Sequence, residues 1–246
     1  MSSVHFSEQG YRELVESLRE LDYSVVGFDE VDPQSRHLVL RHDIDISLEL
    51  AVGMAEIEAS LGARAHYFIL VSSEFYNVFA EKSVEQLSGI RDAGHAIGLH
   101  FDAALYDENE IDGAALKEAA ALESLLDSTV DMISLHRPAN YLLGEARTIG
   151  GRPHTYQPRF FSEIGYCSDS RGKWGHDHPL EHEAVRSGKA VQLLTHPVWW
   201  IGEAGSPTQR LHRFLDRRAG LLDKELAAQC DTHDAGRMRV GFEGDC

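Results

Sequence analysis

The feature that most constrains the fold is an alternation of short apolar segments with helical segments. Strand-length apolar segments lie at 23–28, 37–42, 65–71, 95–100, 130–135, 165–168 and 190–195. Helical spacing occurs at 7–22, 47–61, 81–93, 112–126, 159–164 and 207–229. This alternation is typical of a parallel α/β sheet, either barrel or open. In both architectures an active site forms at the carboxyl ends of the strands.

The domain organisation is expected to be simple, since no repeat or linker divides the chain. Residues 36–230 are predicted to form one barrel domain, and 1–35 a helix and strand that pack on it. The segment 231–246, rich in glycine and aspartate, is predicted to be a mobile tail. No apolar run approaches the ~20 residues needed to cross a bilayer, so membrane insertion is not expected. The first residues lack the pattern of a secretory signal.

The net charge limits the possible binding partners, and the cysteine content indicates the cellular location. The formal net charge is −17, which argues against nucleic acid, because phosphate binding needs clustered Lys and Arg. Cys167, Cys230 and Cys246 are odd in number and widely spaced, so a reducing cytoplasmic location is expected. A small-molecule or glycan substrate fits this composition, and homo-oligomerisation is left open.

The segment Leu38–Asp45 is predicted to be a strand whose apolar residues are followed directly by charged residues. Side chains in a strand alternate between faces, so Arg41, Asp43 and Asp45 should share one face, and His42 should take the other. Two carboxylates on one face at a strand end are costly unless a cation or a raised pKa compensates. The same pair could also serve as a turn and cap before the helix that begins near Ser47.

Other predicted strands end in residues of matching chemistry. They are His100 after 95–99, His136 and Arg137 after 130–135, Asp169 after 165–168, and His196 after 190–195. Each histidine by itself is commonly a structural group, but their joint occurrence at strand ends favours one site. Carboxylate and imidazole ligands suit Zn²⁺ or a similar ion, and further carboxylate, imidazole and guanidinium groups supply acid, base and orientation. The sequence therefore predicts a metal-dependent hydrolase.

At these residues the chain resembles the polysaccharide deacetylases of carbohydrate esterase family 4, the NodB-homology group. It is most similar to the branch with an Arg-His-Asp-x-Asp motif, here Arg41 to Asp45. The segments 94–101, Arg137-Pro138, 166–174 and 194–197 stand in the order of the remaining family motifs. The resemblance covers roughly residues 36 to 200. It implies a distorted (β/α) barrel, usually of seven strands, and hydrolysis of an N-acetyl group.

The resemblance also implies roles by position. It makes Asp43 the general base, Asp45 and His100 metal ligands, Arg137 the residue that holds the base, and His196 the general acid. Asp169 would orient His196 or line the site. We expect Arg41, Asp169 and Trp199 to contact the substrate, although Trp199 and Trp200 fit a core role equally well.

One position departs from the family pattern. The family usually has a second histidine four residues after the first, and here that position is Ala104. The candidates for the third ligand are His136 and, as runner-up, Asp102, while His42 should point away. Two alternatives therefore stand beside a deacetylase. One is a non-catalytic barrel that binds a glycan or a partner protein, and the other is a hydrolase of a non-sugar amide.

Overall fold

The structure is a computed structural model that describes residues 6–175, 177–234 and 236. These residues form two compact units, of which the first ends at Ala204 and the second begins at Gly205. The predicted tail, 231–246, lies mostly outside the described residues.

The described part of the first unit contains seven parallel strands. Their bounds are β1 Ser24–Val25, β2 His37–Ile44, β3 His66–Ile69, β4 Ala96–Asp102, β5 Ile133–His136, β6 Gly165–Ser168 and β7 Val191–Thr195. The strand order is β5-β4-β3-β2-β7-β6, and β1 pairs with the beginning of β2. The central position of β2 places its charged end in the middle of the sheet.

The sheet is strongly curled. In a flat sheet β2 and β5, three strands apart, would be separated by about 14 Å. Instead, Ser134 of β5 places its Oγ 3.0 Å from Oδ1 of Asp43 in β2. The seven-stranded sheet is a curled half-barrel with surrounding helices, which confirms the predicted distorted (β/α) barrel.

Helices of the first unit connect the strands. They are α1 Glu8–Glu20, α2 Leu48–Ser60, α3 Glu81–Asp92, α4 Ile111–Leu126, α5 Pro158–Phe161, α6 Glu183–Arg186 and α7 Pro197–Trp200. The Ser47 side chain caps α2 by accepting a hydrogen bond from the backbone N–H of Leu50 (3.4 Å). Gly62 follows the helix with φ 63°, in the left-handed region that glycine favours. The sequence patterns predict the longer helices, but not the single turns α6 and α7.

The interior face of β2 changes from apolar to charged along its length. Val39 belongs to a buried apolar cluster with Phe28, Phe68, Met132 and Phe160. Two and four residues later on the same face come Arg41 and Asp43. The apolar cluster thus fills one end of the half-barrel, and the charged residues stand at the carboxyl end.

The opposite face of β2 contacts α1 and α2 through a second buried polar group, the Glu58 cluster. Glu58 accepts hydrogen bonds from the hydroxyls of Tyr11 and Tyr67 (both 2.5 Å) and from Nε2 of His42 (2.7 Å). The other ring nitrogen of His42 lies 2.7 Å from Oγ1 of Thr195. His42 therefore points away from Asp43, as the strand alternation predicts.

In the described residues of the second unit there is one long helix, α8, at Pro207–Gln229. Ser206 and Gln209 form a reciprocal capping box at its start, and proline occupies its first turn. This helix was expected from the sequence with nearly the same bounds.

Candidate metal centre

The carboxyl end of β2 carries a buried ion pair. Arg41 donates from Nε to Oδ1 of Asp43 (3.0 Å) and from Nη2 to Oδ2 (2.7 Å). Both residues are buried, and Arg41 is also bonded to Gln192 in β7 (3.1 Å). Burial opposes ionisation of Asp43, but the charge of Arg41 outweighs it and holds the pKa of Asp43 below its ordinary value. Asp43 is therefore a carboxylate in a fixed orientation.

Two residues further on, Asp45 meets two histidines from neighbouring strand ends. Its Oδ1 lies 3.0 Å from Nε2 of His100 and 3.4 Å from Nδ1 of His136. The two ring nitrogens are 3.2 Å apart. Asp45, His100 and His136, which we call the ligand triad, are the group of side chains in the described chain whose donor atoms converge as metal ligands would.

The spacing of the ligand triad fits a tetrahedral metal ion. Bonds of about 2.0–2.1 Å in a tetrahedral zinc site place neighbouring ligand atoms about 3.3 Å apart. The observed separations of 3.0, 3.2 and 3.4 Å form a nearly equilateral triangle of this size. Oδ1 of Asp45 is buried and has no hydrogen-bond partner within the described residues, so a cation would satisfy it.

Ser134 links the ligand triad to Asp43. Its single hydroxyl proton is donated to Oδ1 of Asp43 (3.0 Å), so it must accept from Nδ1 of His100, which is 2.5 Å away. With its proton on Nδ1, a neutral His100 presents the lone pair of Nε2 to the triad. The sequence reasoning did not identify Ser134. Its position two residues before His136 was the available signal, since both side chains share one face of the strand.

The remaining histidine of the site is held by Asp169. Nδ1 of His196 donates to Oδ1 of Asp169 (2.6 Å), and the His196 backbone N–H donates to Oδ2 (3.0 Å). Nε1 of the buried Trp200 also donates to Oδ2 (2.7 Å). This leaves Nε2 of His196 directed at the site, 3.7 Å from Oδ2 of Asp45.

The ionisation of the site follows from these contacts. Burial opposes a charge on His196, but Asp169 outweighs it and raises the pKa of His196 to about 9. Contact with Asp45 raises the pKa of His136. Burial alone would raise the pKa of Asp45, but the adjacent imidazoles of His100 and His136 hold it below its ordinary value. The site thus contains carboxylates and a protonated imidazole at neutral pH.

Arg137 lies elsewhere than the resemblance implied. It forms an ion pair with Asp102, not with Asp43, and its side chain is 62% exposed. Asp102 ends β4 as the register partner of His136, so it is the carboxylate nearest to the residue after His136. Arg41 is the arginine that contacts Asp43. Because Arg41 and Asp43 are two residues apart in one strand, they share a face.

The contacts of His136, Asp102 and His42 show which of these candidates for the third metal ligand lies beside Asp45 and His100. His136 joins the ligand triad, whereas Asp102 pairs with Arg137 and accepts from the backbone N–H of Ala104 (3.2 Å). His42 belongs to the Glu58 cluster on the other face.

The residues expected to contact substrate are mostly covered. Arg41 and Asp169 have no exposed surface, and Trp199 is 8% exposed. Arg41 stands behind Asp43, and Asp169 stands behind His196. The small cleft at this site is lined instead by Asp43, Asp45, His196 and the neighbouring residues 44, 46, 47, 197 and 198.

Fold and site together define a curled (β/α) barrel with a candidate mononuclear metal centre at the carboxyl ends of its strands. Solved structures that resemble it include carbohydrate esterases of family 4 and deacetylases of polysaccharides. One is a family 4 carbohydrate esterase from Bacillus anthracis, with 12% identity over 87% of this chain and 86% of that one, and a TM-score of 0.44. A chitin deacetylase from Colletotrichum lindemuthianum has 15% identity over 79% and 86%, with a TM-score of 0.44.

A third similar structure is described as a pseudoenzyme of the same family from Bacillus anthracis, with 14% identity over 77% of this chain and 63% of that one, and a TM-score of 0.43. Because these identities and TM-scores are low, no activity follows from the similarities. Neither a protein-family model nor a curated protein matches the sequence. Within the described residues, no helix combines the length and apolarity needed to cross a membrane.

Proposed function

We propose that this protein is a metal-dependent hydrolase that removes an N-acetyl group from an amino sugar or glycan. The main support for the proposal is the position of Asp45, whose carboxylate lies between imidazoles that would bind a metal ion and an imidazole that would act as an acid. On one side are the histidines of the ligand triad. On the other is His196, a protonated imidazole oriented by Asp169. The motif order that the sequence shares with deacetylases indicates the acetyl group as the target.

The fit of the ligand triad supports a divalent ion, most suitably Zn²⁺, with a position left open. When bound, the ion would polarise the acetyl carbonyl and increase the acidity of a water molecule. The triad side chains would hold it, with Ser134 fixing the tautomer of His100.

Asp43 is the base of this proposal. A carboxylate offers about four lone-pair positions. Arg41 and Ser134 occupy three of them, which leaves one on Oδ2 to accept a proton from the attacking water. The Arg41 ion pair keeps Asp43 ionised and stationary while that proton is transferred.

His196 is the acid. Its Nε2 faces the site with a proton, while Asp169 fixes the ring and stabilises its positive charge. Breaking the amide C–N bond leaves an amine that needs one proton, and His196 supplies it. The proton taken up by Asp43 and the proton lost by His196 balance over one cycle.

The test combines metal content with acetate release. We expect the purified protein to bind one Zn²⁺ or Co²⁺ per chain and to release acetate from N-acetylglucosamine or its oligomers. Asp45→Asn should lose the metal and the activity, whereas His196→Asn should keep the metal and lose about 10²–10⁴-fold in kcat. Asp107→Asn and His212→Asn, which alter exposed residues outside the site, should change neither.

Two outcomes separate the alternatives. A protein that binds neither ion would support the non-catalytic barrel that Ala104 suggests and would contradict the hydrolase. A metal-loaded protein that is inactive on every acetylated sugar, but cleaves a non-sugar amide, would correct the substrate. The cytoplasmic location expected from the cysteines stays a prediction. In the described residues, Cys167 and Cys230 are free thiols.

A further inference from the structure

One group beside the site that the proposed mechanism leaves without a role is the indole N–H of Trp200. The chain has three tryptophans, Trp174, Trp199 and Trp200. In the part of the chain that the structure describes, the buried indole nitrogens of Trp174 and Trp199 have no hydrogen-bond partner. Nε1 of Trp200 donates to Oδ2 of Asp169 over 2.7 Å. The tryptophan whose N–H is bonded is therefore the one that reaches the carboxylate behind the general acid.

Asp169 receives its three side-chain hydrogen bonds from α7 and the residue that caps it. His196, the N-cap, donates from Nδ1 to Oδ1 (2.6 Å) and from its backbone N–H to Oδ2 (3.0 Å). Trp200 is four residues later, on the same side of the helical turn, and donates the third bond. Two of the three donors thus belong to His196 itself. Trp200 is the donor that holds the carboxylate independently of the ring that the carboxylate orients.

The Trp200 ring is itself fixed by packing. It has no exposed surface, and it lies edge-on to Tyr11 of α1, with ring centroids 5.4 Å apart. On another side it contacts the ring of Trp174, with centroids 5.9 Å apart. The Tyr11 hydroxyl is anchored in turn by its 2.5 Å hydrogen bond to Glu58. The indole N–H is therefore a donor in a fixed position, as the support of a reacting group requires.

We propose that Trp200 positions the general acid, by holding Asp169 so that the His196 ring keeps Nε2 turned towards the site. The role of His196 as an acid rests on the proposed function, whereas the orientation of its ring does not. Rotation of an aspartate carboxylate about its last bond has only a shallow preference of its own. Without the indole donor, Asp169 turns more freely, and His196 presents its proton to the leaving nitrogen in fewer molecules.

The first test compares Trp200→Phe with Trp174→Phe in acetate release by the full chain. Both changes keep an aromatic ring in the same cluster and remove an indole N–H, but only Trp200→Phe removes a donor to Asp169. We expect Trp200→Phe to lower kcat about 10-fold or more with KM and zinc content unchanged, and Trp174→Phe to change kcat less than about twofold. Equal losses in the two variants, or loss of zinc from Trp200→Phe, would overturn the proposal.

A double-mutant comparison shows whether Trp200 acts through Asp169. In an Asp169→Asn background, Trp200→Phe should lower kcat by less than about twofold, because the contact that the indole supports is already lost. A role in packing alone would lower kcat by the same factor in both backgrounds. That additive result would contradict a positioning role.

The third measurement needs no substrate. The Nδ1 proton that His196 donates to Asp169 should give a low-field proton NMR signal, identified by its absence from His196→Asn. We expect Trp174→Phe to retain this signal and Trp200→Phe to broaden or lose it, because the proton of a mobile ring exchanges with water. An unchanged signal in Trp200→Phe would overturn the proposal. A wild type that releases no acetate would contradict the proposed function alone, and this signal would then decide whether Trp200 positions His196.

Discussion

Two clusters lie on opposite sides of β2, each with a carboxylate beside an imidazole, and they differ in how the carboxylate is hydrogen-bonded. In the Glu58 cluster the carboxylate accepts three short hydrogen bonds and is completely buried. In the ligand triad, Oδ1 of Asp45 is buried with no hydrogen-bond partner among the described residues. A satisfied carboxylate stabilises the fold, whereas a buried carboxylate oxygen without a hydrogen-bond partner is a position that a bound cation would satisfy. Hydrogen-bond satisfaction of the carboxylate distinguishes the Glu58 cluster from the candidate metal centre.

The largest effect should come from removing the satisfied carboxylate. Glu58→Ala leaves three buried donors without an acceptor, so we expect the free energy of unfolding to fall by about 3–5 kcal/mol. Urea denaturation monitored by circular dichroism measures it. Glu56→Ala, an exposed glutamate on the same helix, should stay within about 0.5 kcal/mol of wild type. If Glu58→Ala lowers the free energy of unfolding by less than about 1 kcal/mol, the Glu58 cluster does not stabilise the fold as we expect.

The next largest effect should come from the unsatisfied carboxylate, and only when metal is present. At a zinc concentration about 100 times the Kd, we expect wild type to gain about 2.7 kcal/mol in free energy of unfolding, and Asp45→Ala to gain none. The unfolding free energy of each protein without metal is the baseline from which its gain is measured. Equal zinc stabilisation of both proteins would show that the ion binds elsewhere.

A smaller effect should follow at Ser134. Ser134→Ala removes the acceptor for Nδ1 of His100, so we expect zinc affinity to fall about 10–100-fold, measured by competition with a chelator dye. Ser134→Thr keeps a hydroxyl and should bind more tightly than the alanine variant. Ser128→Ala, at an exposed site, should bind zinc as wild type does. Unchanged affinity in Ser134→Ala would mean that the His100 tautomer is set by another contact.

The smallest effect should be the change in the free energy of unfolding with pH that arises from the Glu58 cluster. Burial opposes ionisation of Glu58, but His42 and the two tyrosines hold its pKa below the ordinary value of 4.5. A carboxyl group whose pKa is lower in the folded state than in the unfolded state stabilises the fold at pH values above the unfolded-state pKa. This stability is lost as the pH falls through the folded-state pKa. Between about pH 5 and pH 3, wild type should therefore lose more stability than Glu58→Gln. Parallel curves for the two proteins would contradict this assignment.

Strand alternation accounts for what could be predicted of the site. The positions of Asp43, Asp45, His100 and His196 at or near the ends of β2, β4 and β7 follow from local apolar patterns. The chain brings these ends together because parallel strands share a direction. The opposite orientation of His42 follows from the two-residue period of a strand.

Other residues could not be placed from local patterns. Strand alternation predicts that Arg41 and Asp43 share a face, but the pairing of Arg137 with Asp102 depends on how β4 and β5 pair. Ser134 approaches Asp43 only because the sheet curls. Glu58 resembles a solvent-facing helix residue, although its spacing from Ala51 and Met54 places it on the apolar face of α2, and that spacing was an available signal.

The sequence by itself determined the elements, their order and the residue types at the strand ends, because these depend on periodicities of a few residues. Only the tertiary structure decided which of those residues meet. Contacts such as His136 with Asp45, and Ser134 with Asp43, join strands separated by about ninety residues, and their distances depend on strand register and on the curvature of the sheet.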